Sequence, residues 1–323
     1  MSKEVDKESR KQVKANNTST GVPVYVSTCL LYNYRTMPDP FIPKRPVVAA
    51  YPRMPETAGE VELMSAYLKE KGFDAPSGSL YDEDLRKRVK NLEFDLLIMA
   101  GGDGSVLRAG HLCAPLGVPI LGVNLGRLGF LIQIDRHEWR EYFDRLLNGE
   151  AWIENRMMLH AEHIRSGDSL GQWNALNEVV VGRGPILRPV RLSASVDGRL
   201  LTSYVADGLI AATATGSTAY ALAAGGPILP PELRNILLVP IAPHLSVDRG
   251  VVLSEGSRVS IRVRGENAVL SVDGQPSITL MDDDHVDIHA AEVTTRFVRF
   301  GDPGYFYRNL TAHMNENSLG LPR

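Results

Sequence analysis

Three short apolar runs in the first half of the chain alternate with segments of helical character, and this alternation constrains the fold more than any other feature. The runs are 46–51, 94–100 and 118–123. Between them lie segment 60–71, with apolar residues in helical spacing, and the charged segment 82–91. Strands that are apolar throughout are typical of parallel sheets covered by helices on both faces. The pattern therefore predicts an α/β N-terminal domain with an open, mostly parallel sheet.

Beyond residue 150 the pattern changes to strict alternation of apolar and polar residues. Segments 190–196 and 259–263 alternate in this way, and Asp-Gly pairs follow at 197–198 and 273–274. Asp-Gly between alternating segments favours a tight β-hairpin, and alternation indicates a sheet with one solvated face. The second half therefore predicts a β-rich, antiparallel C-terminal domain.

Composition suggests where the domains begin and end. Residues 1–44 are polar and then Pro-rich, which is typical of an extension rather than a packed unit. We predict an α/β domain over 45–140 and a β-rich domain over 141–294. Segment 295–323 contains too many apolar residues for a loose tail, so we expect it to return to the first domain.

Charge and composition exclude several classes of protein. With 35 Lys and Arg against 38 Asp and Glu, the chain is not expected to hold nucleic acid by bulk charge. No apolar run approaches the roughly 18 residues that a membrane span requires. Two cysteines, Cys29 and Cys113, are too few for a secreted disulfide framework. We therefore expect a cytoplasmic protein that does not bind membranes, and any phosphate-bearing ligand would have to be bound by local geometry.

The most informative motif is GGDGS at 101–105, which directly follows a predicted strand. Glycines let the backbone approach a phosphate, and the helix expected after the motif offers free N–H groups at its start. Asp103 is then suited either to accept a proton from an attacking hydroxyl or to help hold Mg²⁺. The motif favours phosphoryl transfer, although a plain strand-to-helix turn is the alternative.

Three further motifs carry polar groups at strand or helix ends. NLGRLGF at 124–130 follows the next predicted strand, so two glycine-rich strand exits could face one crevice. Asn177 and Glu178 precede an apolar strand and suit a base edge and ribose hydroxyls. Segment 213–218 brings hydroxyl groups to a helix start, which suits a polar ligand. Each motif alone also fits a turn or a helix cap.

Taken together, these motifs resemble those of the NAD kinase family. The resemblance covers about 46–314, because LNEVVVGRG from 176, DGLIAATATGSTAYALAAGGP from 207, PIAPHLSVDR from 240 and SVDGQ from 271 also match in order. It implies phosphoryl transfer from ATP, or from polyphosphate in some members, to the 2′-hydroxyl of the adenosine ribose of NAD, giving NADP. It also implies a homo-oligomer, a dimer or a tetramer.

The resemblance also assigns roles to single residues. Asp103 is similar to the family's general base, Asn177 and Glu178 to its adenosine-binding pair, and Asp207 to an acid near the nicotinamide end. No metal ligands are assigned, because Mg²⁺ or another divalent metal ion is expected with the nucleotide. The other residues implied at the phosphates or at NAD are Gly101, Gly102, Gly104, Ser105, Arg108, Thr218, Ala219, Tyr220, Ala221, Leu222, Ala223 and Gln275.

Two other functions remain open at this point. Lipid kinases of the diacylglycerol or sphingosine type share a GGDG loop, but the Asn177-Glu178 pair suits a nucleoside better than an acyl chain. A non-catalytic sensor that binds a dinucleotide would keep the same pocket, although the intact Asp103 argues against it.

Overall fold

The computed structural model describes residues 39–51, 56–126, 129–184, 188–244, 248–265, 267–307 and 310. The strands are β1 (Pro46–Ala50), β2 (Ser77–Ser79), β3 (Leu96–Gly101), β4 (Ile120–Asn124), β5 (Ile134–Asp135), β6 (Ala151–Arg165), β7 (Asp168–Ala175), β8 (Glu178–Arg183), β9 (Val190–Val196), β10 (Arg199–Ala206), β11 (Gly208–Ala212), β12 (Ile236–Ile241), β13 (Val251–Leu253), β14 (Val259–Arg264), β15 (Ala268–Val272), β16 (Ile278–Leu280) and β17 (His285–Phe300). The α-helices are α1 (Glu56–Glu70), α2 (Glu83–Lys90), α3 (Asp103–Cys113), α4 (Trp139–Leu147) and α5 (Tyr220–Ala223).

The N-terminal part is a parallel sheet with helices packed on it. Strands β2, β1, β3 and β4 lie side by side in that order, all parallel. Every residue of β1, β3 and β4 is buried, as expected for strands with both faces covered. The predicted α/β domain with a mostly parallel sheet is confirmed.

The C-terminal part is antiparallel and consists of two sheets packed face to face. Strands β13, β12, β11, β8, β15 and β16 form the smaller sheet, and β9, β10 and β14 belong to the larger one. A common apolar core lies between the sheets. Asp197 and Gly198 both have positive φ, +51° and +74°, as a tight hairpin turn requires. The β-rich, antiparallel character predicted for this part is confirmed.

Two long strands, β6 and β17, join the two parts into one continuous sheet. They pair antiparallel with each other over most of their length. Near its end β17 also lies parallel to β4, where Phe297 is opposite Ile120. The larger sheet therefore runs without a break from the parallel strands to the antiparallel ones, and the division at residues 140 and 141 stays a prediction.

Some of the predicted segments fall outside the described residues. These are 1–38, which form most of the predicted extension, and 308, 309 and 311–323 of the returning segment. The part of that segment from 295 to 300 lies within β17. No helix in the described ranges combines the length and the apolar character needed to cross a membrane.

An ion pair between the buried Asp284 and the partly exposed Arg165 holds the start of β17 against β6. The carboxylate of Asp284 accepts two hydrogen bonds from Arg165, both 2.8 Å, and one from the backbone N–H of Met281, also 2.8 Å. It lies 2.8 Å from Nε2 of His163. Hydrogen bonding from Arg165 keeps the pKa of Asp284 well below its ordinary value. The carboxylate therefore stays charged inside the fold.

We expect Asp284→Asn to lower the free energy of unfolding by roughly 2 kcal/mol at pH 7, because hydrogen bonds to a buried charge are lost. Since the pKa of Asp284 is lowered by folding, this stabilisation is present above the ordinary Asp pKa and is lost as the pH falls. Denaturant unfolding at pH 7 and pH 3 measures both effects. The exposed neighbour provides the control: Asp283→Asn should change little, and an equal loss in both variants would contradict the assignment.

Candidate active site

Asp103 lies at the carboxyl end of β3, as the first residue of α3. A helix start has free N–H groups and favours negative charge. The carboxylate of Asp103 accepts hydrogen bonds from the backbone N–H of Phe130, at 2.7 Å, and from that of Leu131, at 3.2 and 3.3 Å to its two oxygens. Backbone donors on the neighbouring loop therefore hold this side chain in one orientation.

Glycine residues let the loops that follow β3 and β4 pack closely around Asp103. Gly101 at the end of β3 is opposite Asn124 at the end of β4, so both loops leave from the same edge of the sheet. A Cβ at Gly129 would overlap the Asp103 carboxylate, and a Cβ at Gly101 would overlap the side chain of Ser105. The two glycine-rich motifs therefore meet at one carboxyl group.

A second buried carboxylate, that of Asp273, fixes the entry to β8. It accepts hydrogen bonds from the backbone N–H groups of Leu176, Asn177 and Glu178, at 2.7, 2.9 and 2.8 Å. Its side chain has no exposed surface. Asp273 belongs to the predicted Asp-Gly turn and has a positive φ of +48°. The turn thus holds the backbone of the Asn177-Glu178 pair.

The hydroxyl-rich segment lies directly against Asn177. The backbone N–H of Thr213 donates to the Asn177 carbonyl at 2.9 Å, and a Cβ at Gly216 would overlap the Asn177 backbone. The hydroxyls of this segment have partners within the protein: Ser217 donates to the Ala214 carbonyl at 2.6 Å, for example. These bonds fix the shape of the turn, and ligand binding by the segment stays a prediction.

Helix α3 connects the two carboxylates. Nε2 of His111, near its C-terminal end, lies 2.9 Å from the carboxylate of Asp273. His111 is eight residues after Asp103, which corresponds to about 12 Å along the helix axis. One rigid element therefore extends from Asp103, in the GGDGS segment 101–105 (the phosphate loop), to the turn that holds Asn177 and Glu178.

Glu178 has a pKa well above that of an ordinary glutamate. Burial raises its pKa, the nearby charge of Asp273 raises it further, and a hydrogen bond from the backbone of Tyr220 opposes the rise, so that the pKa is about 7. Among the described residues, its Oε2 atom is buried and has no hydrogen-bond partner. Near neutral pH this side chain can either donate or accept a hydrogen bond, as a ribose hydroxyl can.

A cavity of about 770 Å³ opens beside α3. Its lining includes the basic side chains of Arg86, Lys90 and Arg108, the amide of Gln275, and His111 beside Asp273. Gly104 of the phosphate loop is also a lining residue. Clustered basic groups with an amide suit a multiply charged anion.

The predicted site residues fall into two connected groups. The first, at the ends of β3 and β4, contains Gly101, Gly102, Asp103, Gly104, Ser105 and Arg108. The second, at the start of β8, contains Asn177, Glu178, Thr218, Ala219, Tyr220, Ala221, Leu222, Ala223 and Gln275. Tyr220 begins α5 with its side chain 45% exposed, whereas Ala221 is buried.

Asp207 lies apart from both groups within this chain. It precedes β11, whose other end, at Ala212, pairs with Glu178. Five residues of strand separate the two ends, about 17 Å. The carboxylate of Asp207 instead lies 3.2 Å from Nε of Arg183.

Several important residues were not singled out from the sequence. Asp273 belongs to a predicted turn and to the SVDGQ motif, but nothing local indicates that its side chain binds three N–H groups. His111 is a single histidine on a helix. Arg299 was included in an apolar segment, although a charge between Val298 and Phe300 is a signal that it has a buried partner.

Comparison with known proteins identifies both halves of the chain. Residues 53–151 match the model of the ATP-NAD kinase N-terminal domain, and residues 176–300 match that of the ATP-NAD kinase C-terminal domain. An NAD kinase of Chloroflexus aggregans is 43% identical over 224 residues, which is 69% of this chain and 81% of that protein. An NAD kinase of Heliobacterium modesticaldum is 42% identical over 225 residues, 69% of this chain and 79% of that protein.

Two solved structures have the same fold. Yeast NADH kinase, crystallised with NADH, superposes with a TM-score of 0.73 at 26% identity, covering 85% of this chain and 89% of that one. An NAD kinase from Archaeoglobus fulgidus in complex with ATP superposes with a TM-score of 0.67 at 26% identity, covering 84% and 98%.

The raised pKa of Glu178 predicts a pH-dependent cost in stability. Folding favours the protonated carboxyl group, so stability falls as the pH rises from the ordinary Glu value through about 7. Glu178→Gln keeps the shape and removes the ionisation. Relative to wild type, we expect the variant to gain up to about 3 kcal/mol in the free energy of unfolding between pH 5 and pH 8.

Denaturant unfolding of the ligand-free protein at both pH values measures this difference. Glu62→Gln is the control, because Glu62 is exposed on α1. It should show no pH-dependent gain. If the difference between Glu178→Gln and wild type were the same at pH 5 and pH 8, the raised pKa would be wrong.

Proposed function

This chain belongs to the NAD kinase family, and we propose that Asp103 is its general base. Both halves of the chain match NAD kinase domains, so the enzyme is an NAD kinase. These matches favour the function of an NAD kinase over the two alternatives, a lipid kinase that shares the GGDG loop and a non-catalytic sensor. The details of the reaction that follow are proposals for this chain.

The observation that carries the proposal is the fixed carboxylate at the start of α3. A ribose hydroxyl is a poor nucleophile, and a positioned carboxylate makes it a better one by accepting its proton. In the proposed step the 2′-oxygen of the adenosine ribose forms a bond to the γ-phosphorus of ATP. The bond from that phosphorus to the bridging oxygen of ADP breaks, and the proton moves to Asp103.

The residues at the start of β8 are proposed to hold the adenosine part of NAD. Asn177 offers an amide that can pair with a base edge, and Glu178 has a buried oxygen suited to a ribose hydroxyl. Asp273 supports this role by fixing the backbone of both residues. Preorganised groups of this kind reduce the free energy needed to order the site on binding.

The basic cavity beside α3 is proposed to receive the phosphates of the donor. Lys90, Arg86 and Arg108 can pair with phosphate oxygens, and Gly104 connects the cavity with the phosphate loop. We propose ATP as the phosphoryl donor, with polyphosphate, which is also a multiply charged anion, as the alternative.

No cluster of three or more metal-ligating side chains occurs in the described part of the chain. We propose that Mg²⁺ or another divalent ion arrives on the nucleotide phosphates, where it neutralises charge.

We further propose that the enzyme is a cytoplasmic homo-oligomer. The oligomer is what the resemblance to the NAD kinase family implies. Light scattering after gel filtration would give the number of subunits. The buried, free Cys113 fits a reducing compartment.

We expect Asp103→Asn to lower kcat for NADP formation at least roughly 100-fold, because the proton acceptor is lost. The dissociation constant for NAD should stay within about threefold, because the shape of the side chain is kept. Purified enzyme with Mg-ATP and NAD gives the rate, and calorimetry gives NAD binding. Asp168→Asn, an exposed change on β7, is the control. Equal losses of binding and rate would contradict the role of base, and a wild-type protein that binds NAD without forming NADP would favour the sensor.

The donor cavity predicts a difference between two lysines of α2. Lys90 lines the cavity, whereas Lys87 is exposed and does not. Lys90→Gln should raise the KM for ATP roughly three- to fivefold, as expected for one exposed charge, and leave the KM for NAD unchanged. Lys87→Gln removes the same charge and should change neither. Equal increases in both variants would indicate bulk charge instead of a donor site.

A further inference from the structure

A cluster of charged side chains lies buried behind the loop that holds Asp103. It consists of Glu154 and Arg156 on β6, Arg299 on β17 and Tyr305 in the segment that follows β17. Arg299 is 1% exposed and Arg156 is 3% exposed. Burying a charge costs several kcal/mol unless its partners are well placed. Two buried arginines in one cluster therefore call for a specific role.

Arg299 connects this cluster to Asp103 through the backbone of Leu131. Its Nη1 donates a hydrogen bond to the carbonyl of Leu131 at 2.9 Å. The N–H of the same residue donates to the carboxylate of Asp103, and so does the N–H of Phe130. The guanidinium therefore binds the opposite side of the peptide segment that orients the proposed base.

Arg299 is itself held by the other members of the cluster. Its Nε donates to Oε2 of Glu154 at 2.7 Å, and the hydroxyl of Tyr305 donates to the same oxygen at 3.1 Å. Nε of Arg156 lies 3.0 Å from that oxygen, and its Nη2 donates to the hydroxyl of Tyr305 at 2.7 Å. One carboxylate oxygen therefore accepts two hydrogen bonds, from Arg299 and Tyr305, and lies within ion-pair distance of Arg156.

The same cluster reaches the group that is proposed to bind adenosine. Nη1 of Arg156 donates to Oγ1 of Thr215 at 3.1 Å, within the hydroxyl-rich segment. Burial would lower the pKa of Arg299, but Tyr305, Glu154 and Asp103 keep it above its ordinary value. The guanidinium is therefore charged, which strengthens its bonds to Glu154 and to the Leu131 carbonyl.

We propose that Arg299 is a positioning residue for phosphoryl transfer. By holding the Leu131 carbonyl, it keeps the N–H groups of Phe130 and Leu131 directed at Asp103, and Glu154 and Tyr305 keep Arg299 in place. Arg299 acts through the backbone and does not touch the reacting atoms. This inference rests on the role proposed above for Asp103.

A merely structural role would have different consequences. Loss of a buried ion pair destabilises the whole fold, so it would change amide exchange across the sheet and leave kcat of the folded fraction unchanged. A positioning role instead concentrates the effect on segment 129–131 and on kcat, because a carboxylate displaced by even 1 Å loses much of its catalytic effect. The two roles can therefore be separated by measuring local exchange and kinetics together.

The experiment compares Arg299→Lys with Arg296→Lys. Both arginines lie on β17 and both donate to a backbone carbonyl, Arg299 to Leu131 and Arg296 to Gly117 at 2.8 Å. Only the first of these carbonyls belongs to the loop that binds Asp103. The two substitutions therefore change the same kind of bond at two places on one strand.

We expect Arg299→Lys to lower kcat roughly 10- to 100-fold with the KM for NAD within about threefold. Amide exchange, followed by mass spectrometry on the ligand-free protein, should become at least about tenfold faster in segment 129–131 and stay unchanged in β1 and β3. Arg296→Lys should keep wild-type kcat and wild-type exchange in that segment. A kcat of Arg299→Lys within twofold of wild type, or faster exchange spread over the whole sheet, would overturn the proposal.

A second variant covers the case in which Arg299→Lys does not fold. Tyr305→Phe removes only the hydroxyl that contacts Glu154 and Arg156. A fall in kcat of about threefold or more, with faster exchange in segment 129–131, supports the proposal, and unchanged values overturn it. The exchange measurement does not depend on catalysis. If Asp103→Asn kept full activity, the role of base would fail, while the exchange data would still show whether Arg299 holds the loop.

Discussion

The pairing of β17 with strands on both sides is the constraint on which the site depends. β17 runs antiparallel to β6 and parallel to β4. This pairing places Arg299 of β17 behind the loops that follow β3 and β4. Arg299 can therefore hold the Leu131 carbonyl from inside the protein, while Arg156 on the neighbouring strand reaches Thr215. This pairing therefore places the two arginines between the loops that hold Asp103, on the larger sheet, and the segment beside Asn177, on the smaller sheet.

The sequence predicts the elements of the site better than the contacts between them. The alternation of apolar runs and helical segments identifies β1, β3 and β4, and the position of GGDGS after β3 follows from it. The 15 residues of β6 and the 16 of β17 escape detection, because charged residues such as Arg156 and Arg299 interrupt their apolar pattern. The hydrogen bonds from the N–H groups of Asn177 and Glu178 to Asp273 are long-range tertiary contacts. No local sequence pattern around Asp273 predicts them.

Two kinds of carboxylate occur in this region, and they differ in what surrounds them. Asp103 and Asp273 accept hydrogen bonds from backbone N–H groups, which fix the orientation of each carboxylate. Glu178 is buried with one oxygen free of partners among the described residues, so its ionisation is costly. This difference is typical of binding sites, where a group left unsatisfied in the free protein is available to a ligand.

The position of β17 in the chain also has a consequence for biosynthesis. Residues 285–300 leave the ribosome after every other strand in the described part of the chain, yet they lie in the middle of the larger sheet. Until they emerge, β4 and β6 each present an open edge to other nascent chains, and open edges promote aggregation. The larger sheet therefore cannot form completely until β17 has been synthesised. Chaperones that shield strand edges would act during that interval.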